Sequence, residues 1–426
     1  FNSFQNKLTL CGKRITIKIM EKIHTAIIGG GAAGMFCAAA LSGKGVLILE
    51  RGERLGRKLS ATGNGQGNVT NLDMSAAHYF SSDVSSEERI SRILSRHGRE
   101  ELVGFLENLG GLFLPDERGR VYPAGRQASA VTDLLRYALA DKGVRVRTGT
   151  KVVSLAKKGD VFELTAETDG GKEVFQAEHV VLCAGGKAAK NFGTDGNGYA
   201  LAKGFGHTVT PLYPSLVQLK TETAHIKGLK GIRAEARVSA RAGGQAIAAF
   251  RGDVIFTDYG VSGDAIFRLS AFVTDKLEGG DVSLSLEFLP DVSEERLSEI
   301  LARKAAAFAL PDGELLCGIL NNQLGRAVTK RCGSKNTAAL AKMIKDFTLP
   351  VTGSLGFDYA QVTKGGVPLA ETQETLESRL TEGLYFAGEI LDADGECGGY
   401  NLQWAYASAR TAADGINARG AKRKDA

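Results

Sequence analysis

The chain carries an apolar run that breaks into a glycine-rich turn at Ile23-His24-Thr25-Ala26-Ile27-Ile28-Gly29-Gly30-Gly31-Ala32-Ala33-Gly34. Small residues from Met35 to Leu41 follow, so the pattern predicts a strand, a tight turn and a helix, the context that G-x-G-x-x-G requires. Gly29 allows the sharp turn, Gly31 lets backbone N–H groups approach a pyrophosphate, and Gly34 lets the helix pack closely on its strand. The helix N-terminus is therefore predicted to face the phosphates of a dinucleotide.

A second apolar strand is predicted at Val46 to Leu49, and it ends in Glu50, about 20 residues beyond the turn. A carboxylate at this position accepts hydrogen bonds from both ribose hydroxyls, which favours an adenosine with a free 2′-hydroxyl. A glycine-rich turn alone has a structural alternative, a tight turn without a ligand. The strand, helix, second strand and terminal acid together favour dinucleotide binding.

A long polar loop follows Glu50 and runs from Gly56 to Asn71. It offers many backbone N–H groups and two cations, so it can wrap an anionic cofactor. A mobile surface loop is the alternative. Including the turn and the residue after Glu50, the residues of this region predicted to contact the cofactor are Gly29, Gly31, Ala32, Ala33, Gly34, Glu50, Arg51, Arg57, Lys58, Gly63, Asn64, Gly65 and Asn68.

The composition is that of a globular protein with a sizeable core. The chain has 426 residues, of which 43% are hydrophobic, enough for two or three domains. Its apolar stretches fall short of the roughly 18 residues that a membrane-spanning helix needs, so we predict no membrane span. The 54 glycines far outnumber the 8 prolines and follow no three-residue period, which assigns them to turns and close backbone approaches.

The formal charge of +5 is concentrated at the two ends of the chain. Residues 1–22 carry five Lys or Arg against one Glu, and residues 419–426 carry four against one Asp. The body between them is close to neutral, which argues against a nucleic-acid partner.

The cysteines and histidines show no metal-ligand spacing along the chain. The six cysteines include no C-x-x-C pair, a usage typical of a reducing compartment, and the six histidines are scattered. We therefore predict a cytoplasmic protein without a structural or catalytic metal.

The start of the chain is predicted to be an N-terminal extension, residues 1–22. Met20-Glu21-Lys22 immediately precedes the first strand, as initiator segments of such domains usually do, whereas the chain begins with Phe1. We expect translation to start at Met20. A signal peptide is the alternative, but residues 1–19 lack an apolar core of about 7 residues.

The predicted secondary structure of the rest of the chain changes several times along the sequence. Residues 128–142 are predicted to form a helix, and residues 144–177 form short antiparallel strands with glycine turns. A buried strand, His179 to Cys183, ends at Ala184-Gly185, which we expect to lie beside the cofactor. Residues 205–290 show the successive strands of a barrel or sandwich.

The last part of the chain is predicted to be helical and then mixed. Residues 294–347 follow mostly helical patterns with an N-cap and early acids at their start. Strands resume at 349–351 and 359–363, residues 383–389 are a strand plus a turn, and Tyr400 to Asn417 is a closing helix.

Several segments spread over the chain carry the pattern of a known family. They are Gly29–Gly34, the Lys58–Asn71 loop, Phe256–Gly263, Thr363–Val367, and Gly388-Glu389 with Gly398–Gln403. Together they resemble the BaiN-type and aminoacetone-oxidase-like FAD flavoproteins, over nearly everything from Ile23 to Ala418. The resemblance implies an α/β fold: a two-dinucleotide-binding-type FAD domain with an inserted β-barrel and a small helical domain. The domain bounds are then 23–195 and 355–418 for the FAD domain, 196–290 and 346–354 for the barrel, and 291–345 for the helical insert.

The resemblance also implies that the C-terminal segment returns to complete the FAD site. Glu389 follows Gly388 at a strand end and is placed to accept hydrogen bonds from ribityl hydroxyls. The helix beginning near Gly399 directs its N–H groups and positive dipole end at flavin N1 and O2. A capped helix with a glycine turn is the structural alternative. The residues assigned to FAD by these arguments are Ala184, Gly185, Gly388, Glu389, Gly399, Tyr400, Asn401 and Leu402, with backbone contacts to adenine from Val152.

The chain departs from the family pattern in two places that matter for catalysis. Gln66-Gly67 stands where many relatives carry Arg-Cys, and Asp258 and Asp264 stand where many carry His and Pro. Catalytic roles are therefore not transferred from the family. The candidates for proton donation or oxygen binding are Tyr259, Asp258 and Tyr122, each with a purely structural alternative.

The activity that the resemblance implies is that of a flavin oxidoreductase. Flavin N5 would pass hydride to a carbon–carbon double bond conjugated to the 3-oxo group of an apolar bile-acid intermediate. The chain has no second G-x-G-x-x-G and acid set, so NAD(P)H would dock transiently against the flavin as electron donor, or another donor would serve. The alternatives are an amine oxidase of the aminoacetone type that produces peroxide, a flavin-dependent RNA-modifying protein, and a flavin-binding protein without this chemistry.

Overall fold

The structure is a computed structural model that describes residues 6–10, 13–17, 23–83, 85–311, 313–333 and 336–422. It divides into two compact units, which are Phe1–Leu212 with Val362–Ala426, and Tyr213–Gln361. The translation start predicted at Met20 lies outside the described residues. The finer division into an FAD domain, a barrel domain and a helical insert with the bounds above stays a prediction.

The helices and strands are numbered in chain order. The helices are α1 (Ala32–Ala40), α2 (Ser86–Arg96), α3 (Arg99–Asn108), α4 (Ala128–Asp141), α5 (Asn197–Lys203), α6 (Asp264–Val273), α7 (Glu294–Ala307), α8 (Asn322–Cys332), α9 (Thr337–Lys345) and α10 (Tyr400–Lys422). The strands are β1 (Asn6–Leu10), β2 (Lys13–Ile17), β3 (Ile23–Ile28), β4 (Val46–Leu49), β5 (Thr70–Asn71), β6 (Tyr79–Phe80), β7 (Phe113–Pro115), β8 (Arg120–Pro123), β9 (Arg145–Arg147), β10 (Lys151–Lys158), β11 (Val161–Thr168), β12 (Gly171–Leu182), β13 (Tyr213–Ser215), β14 (Leu219–Thr221), β15 (Arg233–Ala242), β16 (Gln245–Phe256), β17 (Gly260–Ser262), β18 (Val282–Phe288), β19 (Phe347–Ser354), β20 (Val362–Lys364), β21 (Leu384–Phe386) and β22 (Asp394–Gly395).

The first unit is built on a sheet with the order β10-β11-β12-β3-β4-β9, and β21 also pairs with β12. The pairs β12–β3, β3–β4, β4–β9 and β12–β21 are parallel, whereas the pairs β10–β11 and β11–β12 are antiparallel and form the meander that the sequence predicts. The connection from β3 to β4 runs through α1, as a parallel pair requires. The carboxyl ends of β3, β4 and β12 therefore meet at one edge.

Both faces of this sheet are buried, which explains the nearly continuous apolar sequence of its central strands. Successive residues of β3 point to opposite faces, so Ile28 packs in one core cluster and Ile27 in the other. The second cluster includes Met35 and Phe36 of α1. The apolar run before the glycine turn is therefore a two-sided core strand that fixes the position of the turn.

The second unit contains a closed barrel with the strand order β14-β17-β16-β15-β18-β19. Strand β18 alternates buried and half-buried residues along its length, as a strand with one face toward a core should. Helices α7, α8 and α9 begin at side-chain caps from Ser293, Asn321 and Asn336. The barrel and the helical segment that the sequence predicts are both present.

The predicted α/β fold class is confirmed by the sheet, the barrel and the helices together. The helix predicted over 128–142 corresponds to α4, and the closing helix extends past Asn417 to Lys422. Among the described helices, none combines the length and the apolar composition that crossing a bilayer would require.

Candidate cofactor site

The glycine-rich turn lies between β3 and α1 with the geometry that close backbone packing demands. Gly29 has φ +108°, and a side chain there would overlap the carbonyl group of Cys183. A Cβ on Gly34 would overlap the carbonyl oxygen of Gly29. Gly31, by contrast, has no atom within 4 Å of where its Cβ would be, and α1 begins there without a side-chain cap. The space beside Gly31 therefore lies at the uncapped N-terminus of α1, an arrangement suited to a phosphate.

Glu50 at the end of β4 turns its carboxylate back onto this turn. Its Oε2 accepts a hydrogen bond from the Gly30 amide at 2.6 Å, and its Oε1 accepts one from the Gly52 amide at 2.6 Å. These bonds hold the carboxylate in place, and each oxygen keeps a lone pair for a further donor. The side chain can therefore accept hydroxyl groups at the position that the sequence predicts for a ribose.

The cations after Glu50 are engaged by the protein itself. Arg51 forms an ion pair with Asp195 at 2.5 Å, and Arg57 donates to the carbonyl oxygen of Asn191 at 2.8 Å. Both arginines thereby tie the loop to the segment that follows β12. Their prediction as cofactor contacts stays a prediction.

The tip of the loop adopts left-handed backbone at several successive positions. Gly63, Asn64, Gly65 and Gly67 have φ between +55° and +82°. A Cβ on Gly67 would lie 2.8 Å from the Cα of Ala128. The loop can therefore take no larger residue at this position without a shift of the start of α4.

The C-terminal segment returns to the glycine-rich turn, as the resemblance implied. A Cβ on Gly388 would lie 2.7 Å from the Cβ of Ala33. The next residue, Glu389, pairs with Lys58 at 2.6 Å and accepts a hydrogen bond from the Thr363 amide at 3.0 Å. The carboxylate predicted for the flavin end thus lies beside the predicted loop cation.

The start of α10 packs against β5, which lies at the end of the loop from Gly56 to Asn71. Gly399, with φ +101°, leaves no room for a side chain against the carbonyl group of Thr70. The carbonyl oxygen of Tyr400 accepts a hydrogen bond from Tyr79 at 2.8 Å. The Asn401 side chain is bonded to the Gly395 backbone through both its oxygen and its nitrogen, and Leu402 is buried. The helix end is therefore held rigidly.

Two features test whether these residues fit a bound dinucleotide. Gly31 provides an open cradle at a helix N-terminus. The Oδ1 atom of Asn68 is buried and has no hydrogen-bond partner among the described residues. A buried acceptor of this kind is costly unless a donor reaches it, which a polar ligand group can supply. The arrangement fits FAD, and the individual contacts stay predictions.

Val152 lies at the start of β10, and Ala184-Gly185 follows the carboxyl end of β12. The carbonyl oxygen of Val152 accepts a hydrogen bond from Asn197 Nδ2 at 2.9 Å. Ala184 approaches Gly29 closely through its Cα. Gly185 has φ +70°. Val152 is thus tied to α5 and Ala184 to the glycine-rich turn, and their contacts with a cofactor stay predictions.

The three candidate catalytic residues fall in different units. Tyr122 on β8 belongs to the first unit and is buried, with the Arg126 guanidinium 4.0 Å from its ring centroid. Burial raises the pKa of the Tyr122 hydroxyl, a shift that nearby Arg120 opposes. Asp258 and Tyr259 belong to the second unit, where Asp258 is exposed and pairs with Lys230. Only Tyr122 shares a compact unit with the predicted FAD residues.

Sequence reasoning missed the role of Thr363. Its hydroxyl accepts hydrogen bonds from the amides of Lys187 and Ala188, and its own amide donates to Glu389. It thus joins the segment after β12 to the predicted flavin-end carboxylate. Its place in the Thr363–Val367 motif was the one available signal.

Comparison of the sequence with models of known protein families shows which family the chain belongs to. Residues 23–415 match the HI0933-like protein Rossmann domain. The chain belongs to the HI0933-like family. This HI0933-like chain is 38% identical over 405 residues to the 3-dehydro-bile acid delta(4,6)-reductase of Clostridium scindens, covering 90% of the chain and 96% of the relative. It is 30% identical to the ribosomal RNA dihydrouridine synthase of Escherichia coli, covering 92% of the chain and 97% of that relative.

Solved structures of low identity share the fold. The 3-ketosteroid delta1-dehydrogenase from Sterolibacterium denitrificans matches the HI0933-like chain with a TM-score of 0.53 at 15% identity, covering 94% of this chain and 100% of that one. The 3-ketosteroid-delta4-(5alpha)-dehydrogenase from Rhodococcus jostii matches with a TM-score of 0.51 at 18% identity, covering 93% and 96%. The predicted family resemblance is confirmed, and the chain is an FAD-dependent oxidoreductase with a Rossmann-type FAD domain.

Proposed function

We propose that the chain reduces a carbon–carbon double bond conjugated to a 3-oxo group in bile-acid or related steroid intermediates. The observation that carries this proposal is the 38% identity to the Clostridium scindens reductase, which extends over nearly the whole of both chains. At this identity and coverage, the same arrangement of cofactor and substrate groups is the expected starting point.

FAD, when bound, supplies a hydride from flavin N5, and NAD(P)H is the proposed electron donor. The chain holds this cofactor at both ends. The open helix end at Gly31 and the fixed carboxylate of Glu50 receive the adenosine half. Glu389 and the start of α10 receive the flavin half, where the positive end of a 23-residue helix stabilises negative charge.

Tyr122, which lies in the first unit, is the proposed donor of a proton to the substrate. Reduction of an enone adds hydride to one carbon and a proton to the other, so a protonated group must be available at neutral pH. The raised pKa of the buried Tyr122 keeps its hydroxyl protonated. Arg126 over the ring face fixes the ring and supplies positive charge beside it. Tyr122 also interacts electrostatically with Cys397, in the loop that leads to α10.

A second candidate function is reduction of uridine in ribosomal RNA. The 30% identity to the Escherichia coli dihydrouridine synthase, again over nearly both whole chains, favours it. The chemistry is related, because uridine also presents a double bond conjugated to a carbonyl group. The nearly neutral body of the chain favours the small apolar substrate over RNA.

A direct comparison of products distinguishes the two functions. Purified protein with NADPH or NADH is incubated separately with a 3-oxo-4,6-diene bile acid and with ribosomal RNA that lacks dihydrouridine, and both products are analysed by mass spectrometry. We expect two hydrogens to be added to the bile acid and none to uridine. The Clostridium scindens and Escherichia coli relatives are the two positive controls. Reduction of uridine alone would replace the proposal with the second function, and peroxide formation from small amines alone would contradict both.

A further inference from the structure

Two histidines and a glutamate meet on neighbouring parallel strands of the first unit. Strands β3 and β12 are paired with Ile23 opposite Ala177 and Thr25 opposite His179, which brings His24 beside Glu178. One donor atom from each of His24, Glu178 and His179 lies within 4.8 Å of the other two. Three possible metal ligands from two strands therefore share one small volume.

We propose that His24, Glu178 and His179 form a binding site for a divalent transition-metal ion, Zn²⁺ being the ion that best suits the donor set. Two imidazole nitrogens and one carboxylate oxygen are the ligands of three-residue zinc sites, in which water fills the fourth position. Calcium and magnesium prefer sites made of oxygen alone. The mixed nitrogen and oxygen donors thus select a transition metal.

The three donor atoms need to move only slightly closer together to coordinate the ion. Bonds of about 2.0–2.2 Å in a tetrahedral site place donor atoms about 3.4 Å apart, so separations within 4.8 Å must fall by at most about 1.4 Å. Rotation of the half-buried His24 and Glu178 side chains toward the buried His179 supplies such a movement. A Cβ built on Gly43 would lie 3.9 Å from His24 Nδ1, an ordinary contact distance, so Gly43 does not crowd the His24 ring.

The surroundings of the cluster are those of an ordered site. His179 is buried, and the two imidazole rings approach edge to face with centroids 5.2 Å apart. Nδ1 of His24 forms a hydrogen bond with Thr25 Oγ1 at 2.8 Å. Such a bond fixes the rotation of the ring, as the partners behind metal-bound histidines do.

This site is separate from the proposed cofactor site. His24 lies near the amino end of β3, whereas Gly29 follows its carboxyl end, about 16 Å further along at about 3.3 Å per residue. The ion would cross-link β3 to β12 at the edge of the sheet opposite the glycine-rich turn. We therefore expect it to stabilise the sheet and to take no part in flavin chemistry.

The test uses untagged full-length protein, since a histidine tag would itself bind metal. Metal-free protein is titrated with Zn²⁺ against a chromophoric chelator, and with Co²⁺ while the visible absorption of tetrahedral cobalt is recorded. We expect one ion per chain and a higher thermal midpoint with Zn²⁺. His24→Ala and Glu178→Gln should each weaken binding by at least about tenfold and remove the thermal shift.

His225→Ala is the matched control, because His225 is exposed and lies in the other unit. It should bind Zn²⁺ as the unaltered protein does. His24→Gln provides a second variant of similar polarity if His24→Ala does not fold. Absence of stoichiometric binding, or equal binding by the cluster variants and the control, would overturn the proposal. The flavin content of each variant is measured in parallel, so that a failed cofactor site is distinguished from a failed metal site.

Discussion

Replacing Gly34 with alanine is expected to abolish retention of FAD and to destabilise the protein by about 1–3 kcal/mol. The added Cβ would overlap the carbonyl oxygen of Gly29, a backbone atom that cannot rotate away. Helix α1 must then move off β3, which displaces the N–H groups that face the proposed phosphates. The measurements are the flavin-to-protein ratio after purification and the free energy of unfolding in urea.

Two other glycines serve as controls for this change. Gly104 lies within α3 with no atom near its would-be Cβ, so Gly104→Ala should keep full flavin and gain about 0.5–1 kcal/mol of stability. Gly31→Ala should fold normally, because its Cβ also meets no protein atom. It should nevertheless bind FAD more weakly, because the methyl group fills the space for the pyrophosphate. Full flavin content in both Gly34→Ala and Gly31→Ala would contradict the site.

Replacing Tyr122 with phenylalanine is expected to lower kcat for the bile-acid substrate by about 10²- to 10⁴-fold, the range for loss of a general acid. Flavin content and KM should change little, because the ring and its contact with Arg126 remain. Steady-state kinetics with the 3-oxo-4,6-diene substrate give both values. Tyr137→Phe, at an exposed position on α4, is the matched control and should leave kcat unchanged.

The pH profile adds a second readout for Tyr122. The general acid must be protonated, so activity should fall as pH rises through its pKa. Burial raises that pKa above the usual tyrosine value of about 10, so the fall should begin only in strongly alkaline solution. The Tyr122→Phe variant should lack this alkaline decrease in kcat. A variant with unchanged kcat and an unchanged profile would remove Tyr122 from the mechanism.

The sequence predicted the parts of the fold that depend on local pattern. The apolar run of β3, the glycine turn and the acid after β4 lie within 28 consecutive residues, and each has a physical requirement that the structure displays. The meander and α4 were likewise evident from alternation and helical periodicity. The barrel followed from successive strand patterns, although its strand order could not be predicted.

Contacts between distant residues were beyond sequence reasoning. Lys58 and Glu389 were each predicted as cofactor residues, but their ion pair joins positions 331 residues apart. His24 and His179 show no metal-ligand spacing along the chain, and strand pairing alone brings them together. The sequence-based expectation of no metal depended on spacing, so it did not account for this cluster.

Anaerobic spectroscopy of the purified protein tests the central claim most directly. The visible flavin spectrum is recorded, NADPH or NADH is added until it bleaches, and a 3-oxo-4,6-diene bile acid or a small amine is then introduced. The account predicts one FAD per chain, bleaching by the nicotinamide, and return of the flavin absorbance with the dienone but not with the amine. Protein that binds no flavin, or reduced flavin that only oxygen reoxidises, would contradict it.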